Sequence, residues 1–228
     1  MKATLRRTAA LGALALASPA VAWAQGCIGA PVPERARAVQ VQAGRSKVDV
    51  GREFHSSDLG VGYRANPGGP LAYSVEYLLR SVGDSDSRVH TGNAALALRV
   101  PLPLPLLTVC ARTGAGVAYL SQEGSGSSYT NVTVPAALVL ELPLPVGIGR
   151  TLAPYVAPQF LWSQTTGEVF GFDDLDVSDS GFGVEAGVGL RVNRFLIGAG
   201  GSWSDLDPLL ATPAFPDRAF FARVGVLF

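Results

Sequence analysis

The residues here with chemistry to offer are carboxylates and guanidiniums set at alternate positions of otherwise apolar segments. Glu76, Glu141 and Glu185 stand with Arg64, Arg80, Arg99, Arg112, Arg191 and Arg223 on the side of their segments opposite an apolar row. A period of two puts such a set on one face of a strand. If the strands close on themselves, these charges are enclosed, and an enclosed charge must be paired or wet. The expected chemistry is a structural network of ion pairs and hydrogen bonds formed by Arg64, Glu76, Arg99, Arg112, Glu141, Glu185, Arg191 and Arg223. The alternative is an ion path whose Arg-rich mouth prefers anions. Gly114, Gly116, Gly187, Gly189, Gly198 and Gly200 lie on the same face; they leave room in the interior or ease the curvature of the wall.

Other constellations carry less. The two histidines are His55 and His90, the latter followed in reverse by Ser87, Asp86 and Asp84. Catalysis by histidine needs a positioned nucleophile or water and an orienting carboxylate, and no motif surrounds these residues. Glu168, Asp173, Asp174, Asp176 and Asp179 make an oxygen-rich stretch of the kind that holds Ca²⁺, but it lacks the central Gly and terminal Glu of an EF-hand loop. A solvated loop is the expected state, with divalent ions bridging it to lipopolysaccharide as a further option. No phosphate-cradling loop, zinc spacing or basic nucleic-acid patch is present, so no catalytic residue, metal or cofactor is assigned.

The elements that position the charges are strands. Leu71, Tyr73, Val75, Tyr77 and Leu79 alternate with Ala72, Ser74, Glu76 and Arg80; Phe182, Val184, Ala186, Val188 and Leu190 alternate with Gly183, Glu185, Gly187, Gly189 and Arg191. Strands are predicted near 38–48, 57–65, 71–81, 89–100, 107–121, 129–142, 152–164, 181–192, 194–204 and 218–228. Between them, short Pro- or Gly-rich turns (Asn66–Gly69, Pro101–Pro105, Val146–Arg150, Val192–Arg194) alternate with longer polar connections at 50–57, 82–87, 122–128, 166–179 and 204–217. The fold class is therefore all-β, a transmembrane antiparallel up-and-down barrel of ten strands, with eight as the alternative. A soluble sandwich shares the period, but here the apolar rows are long and the opposite rows small or charged. The aromatics also sort by height, with Tyr119, Trp162, Trp203 and Phe220 at one level and Tyr63, Tyr73, Phe195 and Phe228 at the other, as two interfacial girdles would. Pro135, Pro154 and Pro158 oppose a central-strand reading, and bulges or early strand ends are expected there.

Compartment follows from the first residues. Lys2, Arg6 and Arg7, the apolar run Ala9–Leu16 and the Ala22-Trp23-Ala24 site form a signal peptide over 1–24, leaving 25–37 as a periplasmic lead-in and 38–228 as the barrel. Formal charge is balanced at +0, with a mean hydropathy of +0.28, which suits a lipid-facing surface and implies no nucleic-acid partner. In an oxidising compartment Cys27 and Cys110 are expected to pair. Cys110 shares its face with Arg112, Gly114 and Gly116 just after a turn, so pairing would draw the lead-in under or into the lumen and cap it. A lipid-modified Cys27 and two free thiols are the competing states.

The signal peptide, the alternating strands, the turn rhythm and a final strand, Arg218–Phe228, ending on an aromatic residue resemble the small outer-membrane β-barrel proteins of bacteria. The resemblance implies a bacterial outer-membrane location, contact with lipid and lipopolysaccharide, and recognition of Phe228 by the barrel-insertion machinery. It further implies a monomer with a structural or outer-loop interaction role, whose loop partner is unknown. A narrow passive channel is the second expectation and a lipid- or peptide-modifying enzyme the third; the protein is read as not an enzyme.

Overall fold

The structure, a computed structural model, describes residues 27–49, 53–82, 88–102, 107–122, 127–169, 172–206 and 218–228. The expected signal peptide at 1–24 lies outside them. Eleven strands form in chain order: β1 (Arg37–Asp49), β2 (Glu53–Gly68), β3 (Leu71–Val82), β4 (Arg88–Val100), β5 (Thr108–Gln122), β6 (Ser127–Glu141), β7 (Leu144–Gly147), β8 (Arg150–Val169), β9 (Phe172–Val192), β10 (Phe195–Ser204) and β11 (Arg218–Leu227). Sequence neighbours pair antiparallel except β6 and β7, which both pair with β8, and β1 pairs with β11. The wall is thus a closed ten-stranded up-and-down barrel, in which the four residues of β7 continue β6 along β8.

Register fixes the two faces. Ala38, Gln40 and Ser46 lie opposite Arg64, Gly62 and Ser56, and Glu76 opposite Gly62 and Asn93. These rows point inward and are largely buried. The alternate rows point out: Val41, Leu59, Val75, Leu96, Val117 and Val224 are exposed, with Leu59 at 64%. In water this much exposed aliphatic surface would be an aggregation hazard; around a closed barrel it is the lipid-facing belt. Tyr119, Trp162, Trp203 and Phe220 are exposed on the same outer face, as are Phe195 and Phe228. Tyr63 and Tyr73 meet near the other rim as a tilted pair with centroids 6.2 Å apart. The end that carries Arg37 and Phe228 is called the terminal end below, and the opposite end the distal end.

Two expectations about the wall are corrected. The polar connections at 50–57 and 166–179 are mostly strand, since β2 begins at Glu53 and β8 and β9 run for 20 and 21 residues. Polarity marks emergence from the membrane rather than the end of a ladder. Outside Trp162 and Phe182 the outward residues become Gln164, Thr166, Ser180, Ser178 and Asp176, and Gln164 Nε2 donates to Asp176 Oδ1 at 3.1 Å across the hairpin. A strand needs only about ten residues to cross the bilayer, so the β8–β9 hairpin stands well clear of it. Pro135 and Pro158, in turn, cause neither bulges nor strand ends. The β5–β6 ladder lacks the pairs around Pro135, and the β6–β8 ladder those around Pro158, yet each resumes in the same register. Intact pairs on both sides hold the chain straight across the missing donor. Pro154 faces the interval between β6 and β7, where Leu142 N donates to its carbonyl at 3.0 Å.

Candidate functional site

The site is the lumen, and its floor is the chain's own N-terminal segment. From β1 the chain, followed backwards, reverses at Pro33-Glu34-Arg35-Ala36, where Ala36 N donates to Pro33 O at 3.2 Å and Arg35 takes a left-handed φ of 62°. Residues 27–32 then lie inside the barrel and are buried, Val32 fully. Local sequence favours this irregular path: Pro31 and Pro33 lack amide donors, and Gly29 has a φ of 76° that other residues rarely adopt.

Three kinds of contact hold this plug. Cys27 is bonded to Cys110 on β5, with Cα atoms 5.7 Å apart; with both sulfurs engaged, no free cysteine remains for a lipid. Asn66 Nδ2 donates to Val32 O, and Arg223 Nη1 to Gly29 O, each at 3.3 Å. Ile28, Ala30 and Val32 pack with Ala38, Ala72, Ala97, Val139, Ala157, Leu196 and Leu227 in one buried cluster. Pro31 lies so close to Gly189 that a Cβ there would sit 2.5 Å from Pro31 Cδ. A glycine is needed at 189 because backbone and plug touch.

Above the plug sits the charged layer. Arg64 on β2 pairs with Glu76 on the adjacent β3. Arg112 on β5 pairs with Glu185 at 2.7 Å, and Tyr155 donates to the second Glu185 oxygen at 2.8 Å. Strands β5 and β9 are not neighbours, so that bridge crosses the bore. Arg223 stands over the Phe221 ring at 4.1 Å. Nearer the distal end Arg80 grips Asp58 through two bonds of 2.5 and 2.9 Å, and Ser46 bonds Ser56 at 2.5 Å. Asn131 Nδ2 donates to Ser163 Oγ and Thr165 Oγ1 at 2.7 and 2.9 Å.

The eight residues named from the sequence therefore divide. Arg64 with Glu76 and Arg112 with Glu185 form pairs, and Arg223 joins them through the plug. Arg191 instead donates to Thr151 Oγ1 at 3.1 Å, away from the cavity. Arg99 lies opposite Cys110, and Glu141, 1% exposed, lies opposite Tyr155 and Thr108. Asp58 and Tyr155 were missed, although parity could have found both: Asp58 is in step with Arg64, and Tyr155 with Ala153 and Ala157. His90 points outward, its Nδ1 2.6 Å from Tyr77 Oη; Asp84, Asp86 and Ser87 are outside the described residues. Among the described residues no group of three or more His, Cys, Asp or Glu is placed to hold a metal. The side chains of Glu168, Asp173 and Asp174 are outside the described set.

No family model matches the chain, and no curated protein matches it. Solved structures do. The β domain of the Bordetella autotransporter BrkA is 11% identical and aligns over 85% of this chain and 99% of its own, with a TM-score of 0.52. The translocator domain of the Neisseria meningitidis autotransporter NalP is 12% identical over 85% and 88%, with a TM-score of 0.49. Ail, the attachment invasion locus protein of Yersinia pestis, is 12% identical over 86% and 99%, at 0.37. At such identities the likeness is one of fold. Closed wall, apolar belt, polar lumen and the likeness to the BrkA β domain agree, and the chain has the fold of a bacterial outer-membrane β-barrel.

Proposed function

We propose that the protein is a self-plugged, non-conducting barrel whose role is structural or is exercised by its distal hairpins. The supporting observation is the occupied lumen: residues 27–32 lie across its terminal end, tied to β5 by Cys27–Cys110, below the cross-lumen Arg112–Glu185 bridge. A passive channel needs a continuous wet bore, and this arrangement leaves only a cavity. The β8–β9 hairpin supports the second half of the reading, because its polar faces rise beyond the lipid belt where a partner or lipopolysaccharide is reachable. On this reading the terminal end faces the periplasm, the leader is removed before Gln25, and the barrel acts as a monomer without a catalytic role. Closure of β1 on β11 leaves no free edge for a second copy. Phe228, exposed at 67% and joined to Arg37 by backbone bonds of 3.0 and 3.1 Å, presents its ring at the seam, where insertion machinery would meet it.

Planar-bilayer recording of the oxidised protein tests this. No steady conductance is expected before reduction; a steady, selective current from fully oxidised protein would replace this reading with the channel.

A further inference from the structure

Above the plug the lumen retains a cavity of about 220 Å³, and the charges on its wall do not balance. Among the described residues four guanidiniums line it, those of Arg64, Arg80, Arg112 and Arg223, against three carboxylates, Asp58, Glu76 and Glu185. Each carboxylate is already committed: Glu76 to Arg64, Asp58 to Arg80, Glu185 to Arg112. Arg223 lies in the field of Glu76 and Glu185 without an ion-pair contact to either, and its direct partners are neutral, the Gly29 carbonyl and the Phe221 ring. It is 7% exposed, and its Nε has no hydrogen-bond partner. Arg64, 2% exposed, likewise has no partner for Nε or Nη1. The two groups are close, since both Nη1 atoms fall within 3.3 Å of the point a Cβ on Gly29 would occupy.

The imbalance cannot relieve itself. Arginine does not shed its proton in proteins, and protonating any of the carboxylates adds to the positive charge. A buried surplus charge is costly unless compensated, and one monovalent anion would compensate it. The volume suits that occupant: at roughly 30 Å³ per water it corresponds to about seven waters, room for a partly hydrated halide or a short carboxylate. Ile28, Leu78 and Phe221 on the wall would accept the alkyl part of the latter.

We propose that this cavity is an anion-binding site that holds one small monovalent anion, a halide or a short carboxylate, between Arg223 and Arg64. With residues 27–32 across the terminal end the site is a dead end, not a path, so binding and conductance are separate properties and are tested separately.

The test uses the oxidised mature protein folded in detergent. Its thermal midpoint, read as the gel shift between folded and heat-unfolded forms, is followed as sodium chloride or sodium acetate replaces sodium lactobionate at constant ionic strength; the lactobionate anion is too large for the cavity. The midpoint should rise and saturate with chloride or acetate. In Arg223→Gln the apparent affinity should fall at least tenfold, whereas Arg191→Gln, outside the cavity, should behave as the parent. The larger effect of chloride or of acetate identifies the source. A midpoint indifferent to the anion, or an identical response in Arg223→Gln, overturns the proposal. If Arg223→Gln does not fold, bromide soaked into crystals of the parent decides: an anomalous peak beside Arg223 supports the site, and a lumen without one at saturating bromide overturns it.

Discussion

Replacing Cys110 by Ser should free the plug while leaving the wall standing. The lost bond links residues 83 apart in sequence, and loop-closure entropy for a loop of that size is worth about 4.5 kcal/mol. What remains is weaker than it looks. Burial of Ile28 and Val32 contributes about 1.5–3 kcal/mol each, and the bonds to Gly29 O and Val32 O about 1 kcal/mol each. Ordering residues 27–33 costs about 1–2 kcal/mol per residue, roughly 7–14 kcal/mol in all. Non-covalent contacts of about 5–8 kcal/mol do not cover that; adding the staple brings the two sides level. In Cys110→Ser, or after reduction, urea unfolding followed by the fluorescence of Trp162 and Trp203 should show a loss of up to about 4.5 kcal/mol. Cys27 should become open to alkylation in the folded barrel, and planar bilayers should record a current that the oxidised parent lacks. A variant that unfolds at the parent's urea midpoint and stays silent in the bilayer would show that the plug holds itself, and the reasoning would fail.

Four further outcomes are expected. Glu185→Gln strips Arg112 of its counter-charge across the bore, and since breaking a buried pair costs about 3–5 kcal/mol, detergent stability should fall by the lower part of that range for these partly wet side chains; Tyr155→Phe, losing one hydrogen bond, should cost about 1–2 kcal/mol. Gly189→Ala puts a methyl group into Pro31, and overpacking of that kind costs about 1–3 kcal/mol, so urea unfolding should show that loss, with faster reduction of Cys27–Cys110. Deletion of Phe228 removes the exposed terminal ring and its two backbone bonds to Arg37, so the heat-modifiable fraction in outer membranes should drop several-fold; insertion at the parental level would dismiss its role in assembly.

Much of the wall was legible in the sequence because a strand has a period of two and a barrel has two unlike solvents. Once lipid claims Leu71, Tyr73, Val75 and Tyr77, the positions of Ala72, Ser74 and Glu76 follow, and Cys110 is placed inside by the same parity. Strand number followed from ten alternating runs. Strand ends did not, because the alternation of apolar with polar residues stops at the membrane surface, whereas hydrogen bonding continues to Val169 and Phe172. Nor did the fate of the prolines, since the strength of flanking ladders is a property of neighbours that the local sequence does not contain.

The interior belongs to the tertiary structure. Parity says that Arg112 and Glu185 point inward, but which carboxylate meets which guanidinium depends on how far around the bore β5 lies from β9. Arg64 finds its partner on the next strand; Arg112 finds one across the lumen; Arg223 touches a carbonyl and a ring rather than a carboxylate among the described residues. The lead-in carries no period at all, so the pairing of Cys27 with Cys110 leaves open whether it passes under the lumen or into it. That Gly29, Pro31 and Val32 enter the bore was settled by the space beside Gly189 and the donors of Asn66 and Arg223, and such a cavity exists only after distant strands have closed around it.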